Sequence, residues 1–152
     1  MRFSEIKKQN KTILLIANSS WYFYNFRKEL ICAIKKKGYK LLVICPKDKY
    51  SIELEKISEL IFWNLNRSSI NIFQEIYSII FLIRALRKIK PTLIHTFTMK
   101  ASIYGTIAAL VTNTKIVVNS LTGLGTLFVS KKLIIKIIRL FLLPIIKILF
   151  TK

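Results

Sequence analysis

A chain of 152 residues with 26 Lys/Arg against 7 Asp/Glu carries a formal net charge of +19, yet 53% of its residues are hydrophobic. That length fits one domain, and two cysteines without metal-ligand spacing exclude a disulfide framework and a zinc module. A chain both apolar and cationic suits work against an anionic surface, either lipid headgroups or nucleic acid.

Residues 1–12 are polar and lack the apolar core of a secretory signal. Cys32 and Cys45 are therefore expected to be buried free thiols in a reducing cytoplasm. The apolar run 12–17 reads as a strand that stops at Asn18, Ser19 and Ser20, followed by an aromatic cluster and a helix over 25–37 that ends at Gly38. A strand over 40–45 precedes a helix over 51–59, with Glu53 and Glu55 near its start where the helix dipole favours negative charge. A strand at 60–64, a helix at 71–90 closed by Pro91, a strand at 92–95, a helix at 100–112 and a strand at 115–119 follow. The last element is a helix over 131–150. All seven acids lie in residues 1–75, whereas residues 76–152 hold 12 Lys/Arg and no acid.

This alternation predicts an α/β domain: a Rossmann-like open parallel sheet of about five strands, order 3-2-1-4-5, with helices on both faces. Strands one and four are then neighbours, and the winding reverses between them. Ligands of such sheets bind in the crevice at the strands' carboxyl ends, here lined by residues 18–27 and 95–100. The apolar stretch 70–86 is interrupted by Asn71, Gln74, Glu75 and Arg84, so a helix packed on the sheet is expected in place of a membrane span of about 20 residues. In the last helix Lys132, Lys136, Arg139 and Lys147 share a stripe roughly 80° wide. That profile suits a membrane interface or, equally, burial against a partner domain with one wet edge; Pro144 and the internal cations oppose a span. The expected division is a domain over 1–130 and an amphipathic basic helix over 131–152.

Four places could carry chemistry. The Ser19-Ser20-Trp21 corner offers hydroxyls and main-chain N–H groups for phosphate or sugar oxygens and a ring to stack on a sugar face; alternatively Trp21, Phe23 and Phe26 are core and the serines cap a helix. Thr122-Gly-Leu-Gly125 permits close backbone approach, but it lacks the third glycine of a dinucleotide fingerprint and follows the fifth strand, which excludes NAD and FAD. Arg67-Ser-Ser-Ile-Asn71 places a cation and hydroxyls before a helix start. His95, the single histidine, ends strand four, with Lys100 placed as a phosphate contact at the next helix. Asp48 is the acid nearest a strand end. No Ser-His-Asp, metal or Walker pattern can be assembled, and the aromatics do not interleave with the basic runs as in nucleic-acid binders.

In order and spacing, Ala17-Asn-Ser-Ser-Trp-Tyr-Phe-Tyr-Asn-Phe-Arg27, Pro46-Lys-Asp-Lys-Tyr-Ser51, Arg67-Ser-Ser-Ile-Asn71, His95-Thr-Phe-Thr-Met-Lys100, Tyr104-Gly105 and Asn119-Ser-Leu-Thr-Gly-Leu-Gly125 resemble the N-terminal domain of glycosyltransferase family 4. The resemblance implies half of a GT-B fold, the half that holds the acceptor, commonly a sugar on a polyprenyl diphosphate at the cytoplasmic face of the membrane. It implies a retaining hexosyltransferase in cell-surface polysaccharide assembly with neither metal nor cofactor; no nucleic-acid partner is expected, since no recognised binding motif is present. Ser19, Ser20, Trp21, Asn25, Arg27, Arg67 and Lys100 would bind the acceptor. His95 is the catalytic candidate, and Thr122, Gly123 and Gly125 would face the inter-domain cleft. The pattern departs at Phe97, where many members carry a second histidine. The chain ends at Lys152, where a second, nucleotide-sugar-binding domain is expected; alone, it is not expected to complete a transfer. The alternative is a non-catalytic peripheral membrane-binding or scaffold protein that keeps the fold.

Overall fold

The computed structural model describes residues 11–66 and 71–121. The expected helix over 131–150, and with it the division at residue 130, lies outside the described residues. Five strands, β1 (Thr12–Ile16), β2 (Lys40–Cys45), β3 (Glu59–Phe62), β4 (Leu93–Phe97) and β5 (Ile116–Ser120), form one parallel sheet in the order β3-β2-β1-β4-β5. This is the Rossmann-like order expected from the alternation. Five helices connect them: α1 (Ser20–Phe26), α2 (Lys28–Lys36), α3 (Ser51–Glu55), α4 (Ile72–Ile89) and α5 (Met99–Val111).

Strand sequences such as Leu14-Leu15-Ile16 are apolar throughout because both sheet faces are covered. Alternate residues point to opposite faces. Leu14, Ile16, Leu42, Ile44 and Ile94 meet Leu82 and Leu86 of α4 and Ala101, Ala108 and Ala109 of α5. Leu15, Leu41, Val43, Cys45 and Phe97 meet Tyr22 and Phe23 of α1, Ile31 of α2 and Leu54 of α3. Each such buried aliphatic side chain contributes about 1.5–3 kcal/mol.

The approach of α5 to β4 depends on Gly105. A Cβ there would lie 2.7 Å from Thr96 Cγ2, and the Thr96 hydroxyl is held by Ser102 Oγ at 2.9 Å and by Asn119 Oδ1, so the methyl has little room to turn away. Gly105→Ala is expected to destabilise the fold by about 1–3 kcal/mol from overpacking, partly offset by up to about 1 kcal/mol of helix propensity; urea unfolding measures it.

Three local expectations change. The helix read over 25–37 is two helices, α1 starting five residues earlier than expected. Ser19 takes an extended conformation (φ −166°, ψ 150°) and its side chain accepts from Tyr22 N at 3.2 Å, which nucleates α1 among aromatics of modest helix propensity. The break falls at Arg27 (φ −132°, ψ 8°), and α2 ends before Gly38, whose φ of +81° an L side chain resists. The helix read over 51–59 stops at Glu55, because the N–H groups of Ile57 and Ser58 both turn back to Leu54 O and Glu59 begins β3. Finally, Cys45 is buried, its thiol pushed up to about 12 chiefly by burial, but Cys32 is exposed: it follows Ile31, the buried position of α2, and so lies on the outer side. Among the described residues no helix is long and apolar enough to cross a membrane.

Candidate functional site

Because all five strands run parallel, their carboxyl ends share one rim. There the segments after β1, β2, β3 and β4 converge, and β1 lies beside β4 at the switch point. The serine–tryptophan corner is built into the start of α1. Ser20 is fully buried; its hydroxyl donates to Pro46 O at 2.8 Å and lies 2.8 Å from Ser51 Oγ, which accepts from Asp48 N at 2.9 Å. Asp48 is committed too: Oδ2 accepts from Trp21 N (3.0 Å) and Oδ1 from Tyr50 N (2.8 Å), so this acid caps α1 from the neighbouring loop. Ser19 and Ser20 thus brace the rim from inside. Trp21 is exposed, its ring edge-on to exposed Phe26 at 5.2 Å, and Asn25 Nδ2 donates to Trp21 O at 2.8 Å. Phe23 alone of the three apolar candidates is core.

Arg27, in the break between α1 and α2, turns onto the end of β4. Its guanidinium carbon lies 5.0 Å from the centre of the Phe97 ring and 5.4 Å from that of Tyr22. His95 lies against the same Phe97 ring, 4.1 Å between centroids and tilted by 32°, and its Nε2 is 2.8 Å from Ser120 Oγ of β5. The sheet therefore gathers Arg27 and His95, 68 residues apart in sequence, around Phe97. Three buried polar atoms here, Tyr22 Oη, Arg27 Nε and Thr98 Oγ1, have no hydrogen-bond partner among the described residues; a fourth, Trp63 Nε1, belongs to the other core layer. Buried polar atoms are ordinarily paired, so their concentration beside Phe97 marks a place suited to a polar group. Thr98 carries a left-handed φ of +71° with ψ 156° as the cap residue of α5. Such a conformation costs on the order of 1–3 kcal/mol and clusters at functional sites. Sequence reasoning missed Tyr22 and Thr98; only contacts across the fold reveal them.

Lys100 is placed differently. It starts α5 and reaches across to α4: Nζ is 2.7 Å from Glu75 Oε1 and 3.0 Å from Asn66 O. Tyr104 also donates to Glu75, which, with burial as the larger cause, holds its hydroxyl well above the usual range. The chain's last acid thus pins Lys100 on the face opposite Arg27 and His95. Arg67, Thr122, Gly123 and Gly125 lie outside the described residues. A groove of about 700 Å³ between α5 and β5, lined by Thr106, Leu110, Ile116 and Asn119 among others, contains none of the candidate residues. Among the described residues no group of three or more His, Cys, Asp or Glu is placed to hold a metal ion.

Burial first, and the Arg27 charge second, lower the His95 pKa below its ordinary value of 6.5. The native state thus prefers the neutral ring. Its contribution to stability is fully present above pH 6.5 and is lost as pH falls through the depressed native value, because the unfolded chain takes up the proton first. Thermal unfolding between pH 8 and pH 5 should show a steeper acid loss in the native protein than in His95→Gln.

The family profile described as "Glycosyl transferase 4-like" matches residues 12–152. A curated relative, the N,N'-diacetylbacillosaminyl-diphospho-undecaprenol alpha-1,3-N-acetylgalactosaminyltransferase of Campylobacter jejuni, is 28% identical over 87 residues, which are 57% of this chain and 23% of the relative. Two solved structures share the fold. MurG of Acinetobacter baumannii has a TM-score of 0.58 at 10% identity, over 72% of this chain and 35% of its own. A glycosyltransferase of Rickettsia africae has a TM-score of 0.56 at 16% identity, over 84% of this chain and 35% of its own. The chain therefore spans about a quarter of the curated relative and about a third of either structure. With the parallel sheet in the order 3-2-1-4-5 and a profile match from β1 onward, the chain belongs to the glycosyl transferase 4-like family.

Proposed function

We propose that this chain is the acceptor-binding half of a glycosyltransferase that moves a sugar from a nucleotide-sugar to a glycan on a polyprenyl diphosphate, at the inner face of the cytoplasmic membrane. The observation that carries the proposal is the convergence of Arg27 and His95, with the unpartnered buried polar atoms of Arg27, Tyr22 and Thr98, at the β1/β4 rim of a family member. Arg27 stays charged at any physiological pH and offers a planar fork of donors to phosphate oxygens. Neutral His95 offers a ring nitrogen to a sugar hydroxyl, and exposed Trp21 a face for a sugar or isoprenoid. The name of the Campylobacter relative describes a diphospho-undecaprenol-linked acceptor, which supports this class.

The nucleotide-sugar belongs to a second domain or a partner chain in this reading, and the +19 charge favours an anionic membrane surface. A transfer assay with a short-chain polyprenyl-diphosphate sugar, a set of nucleotide-sugars and the 152-residue chain tests it. The chain should bind the acceptor and transfer nothing until a donor-binding half is supplied. Transfer by the chain alone would overturn the division of labour. A non-catalytic scaffold is the second reading, favoured by the commitment of Ser20, Asp48 and Lys100 to internal bonds. Absence of acceptor binding would decide for it.

A further inference from the structure

Helix α4 buries Ser78, Leu82 and Leu86 against the sheet and α5. Its outer face is unusual. Phe73 is 81% exposed and Tyr77 59%, with Ile72, Ile76 and Ile80 exposed beside them. Residues three and four apart share a helix face, so these five side chains form one outward patch, spanning roughly 12 Å along the axis at 1.5 Å per residue. On the same face one to two turns further on, Arg84, Arg87 and Lys88 are exposed. The only acid of α4, Glu75, is turned away toward Lys100 and Tyr104 of α5. The outer face is therefore apolar at its amino-terminal end and cationic at its carboxyl-terminal end, with no acid of its own; Glu59 of β3 lines the groove beside Arg84 and Lys88.

We infer that the outer face of α4 docks the protein on an anionic lipid surface, with Ile72, Phe73, Ile76, Tyr77 and Ile80 entering the interface and Arg84, Arg87 and Lys88 meeting lipid phosphates. Interfacial helices bury such faces about 5–10 Å into the headgroup and acyl boundary. Charge selects the occupant. A second copy in either orientation would bring together two faces whose own charges are all positive. Anionic lipid satisfies both ends at once. Placement adds a second argument: α4 begins after the carboxyl end of β3, so its apolar end lies at the same end of the sheet as Arg27 and His95, though on the opposite face. Docking with that end lowest brings the carboxyl ends of the strands toward the headgroup layer, where a lipid diphosphate lies. The inference rests on the proposed function only for that last point.

Flotation of the full chain with phosphatidylcholine vesicles, with and without phosphatidylglycerol, tests it. The double variant Phe73→Ser/Tyr77→Ser should lose about tenfold in vesicle affinity, and Arg84→Gln/Arg87→Gln/Lys88→Gln should lose at least as much on the anionic vesicles alone. All five positions face outward, and unchanged melting curves would certify folding. A Phe73→Trp protein should gain fluorescence that brominated lipid quenches. Vesicle binding undiminished in both multiple variants would overturn the inference, assigning any membrane affinity to another part of the chain. So would self-association in place of flotation, abolished by the same substitutions. Binding of a water-soluble acceptor diphosphate, measured without vesicles, should be unaffected by the α4 variants. Its absence would sink the acceptor reading and leave the docking face standing.

Discussion

Replacing Phe97 with alanine is expected to cost about 3–5 kcal/mol of stability, the range for deleting a buried aromatic side chain. Phe97 is 1% exposed, and its ring touches four others of different origin: Tyr22 at 5.7 Å, Phe23 at 5.6 Å edge-on, His95 at 4.1 Å and the Arg27 guanidinium at 5.0 Å. The loss therefore combines transfer of the ring with a cavity at the meeting of α1, β4 and the α1–α2 break, where rigid backbone limits collapse. Thermal unfolding should register it as a melting-temperature fall on the order of 10 °C. Phe97→Leu, which keeps most of the apolar volume, should lose less. A near-neutral Phe97→Ala would show that the rim does not pack around this ring.

The second large effect concerns binding. Arg27→Leu should weaken affinity for a water-soluble polyprenyl-diphosphate sugar by roughly 10- to 100-fold, the equivalent of one charged hydrogen-bonding group worth about 1.5–3 kcal/mol. Leucine retains apolar contact with Tyr22 and Phe97, so folding should survive and calorimetry can report binding alone. Arg27→Lys should fall between the two, since an ammonium keeps the charge but loses the fork and the stacking on Phe97. Equal affinity in all three proteins would restrict Arg27 to packing.

The strand order was legible because apolar runs of five or six residues alternate with helical periods, and parallel crossovers leave few arrangements. The nearness of Arg27 and His95 was legible for the same reason: Arg27 lies beyond the turn after β1 and His95 within β4, which that order makes neighbours, although the sequence predicts an end to strand four at His95 and the strand runs on to Phe97. The rest depends on contacts between residues distant in sequence. Asp48 reads as an acid near a strand end, but its Oδ2 caps α1 from 27 residues away while Oδ1 holds its own loop. Lys100 reads as a phosphate contact at a helix start, and its ion pair with Glu75, from 25 residues away, had no signal in the sequence. Composition hid the outer face of α4 because that helix is apolar on nearly every side. Only its packing shows which residues Ser78, Leu82 and Leu86 leave outside.

The β1/β4 rim around Phe97 is the proposed seat of the acceptor diphosphate. The chain has a single histidine, so the imidazole resonances of His95 in a titration with a water-soluble polyprenyl-diphosphate sugar report on that place without ambiguity. A saturable shift with an upward move in the His95 pKa, as nearby phosphate charge favours the protonated ring, is the result expected. Binding that saturates by calorimetry while the His95 signals and pKa stay where they were would place the acceptor elsewhere and contradict the account.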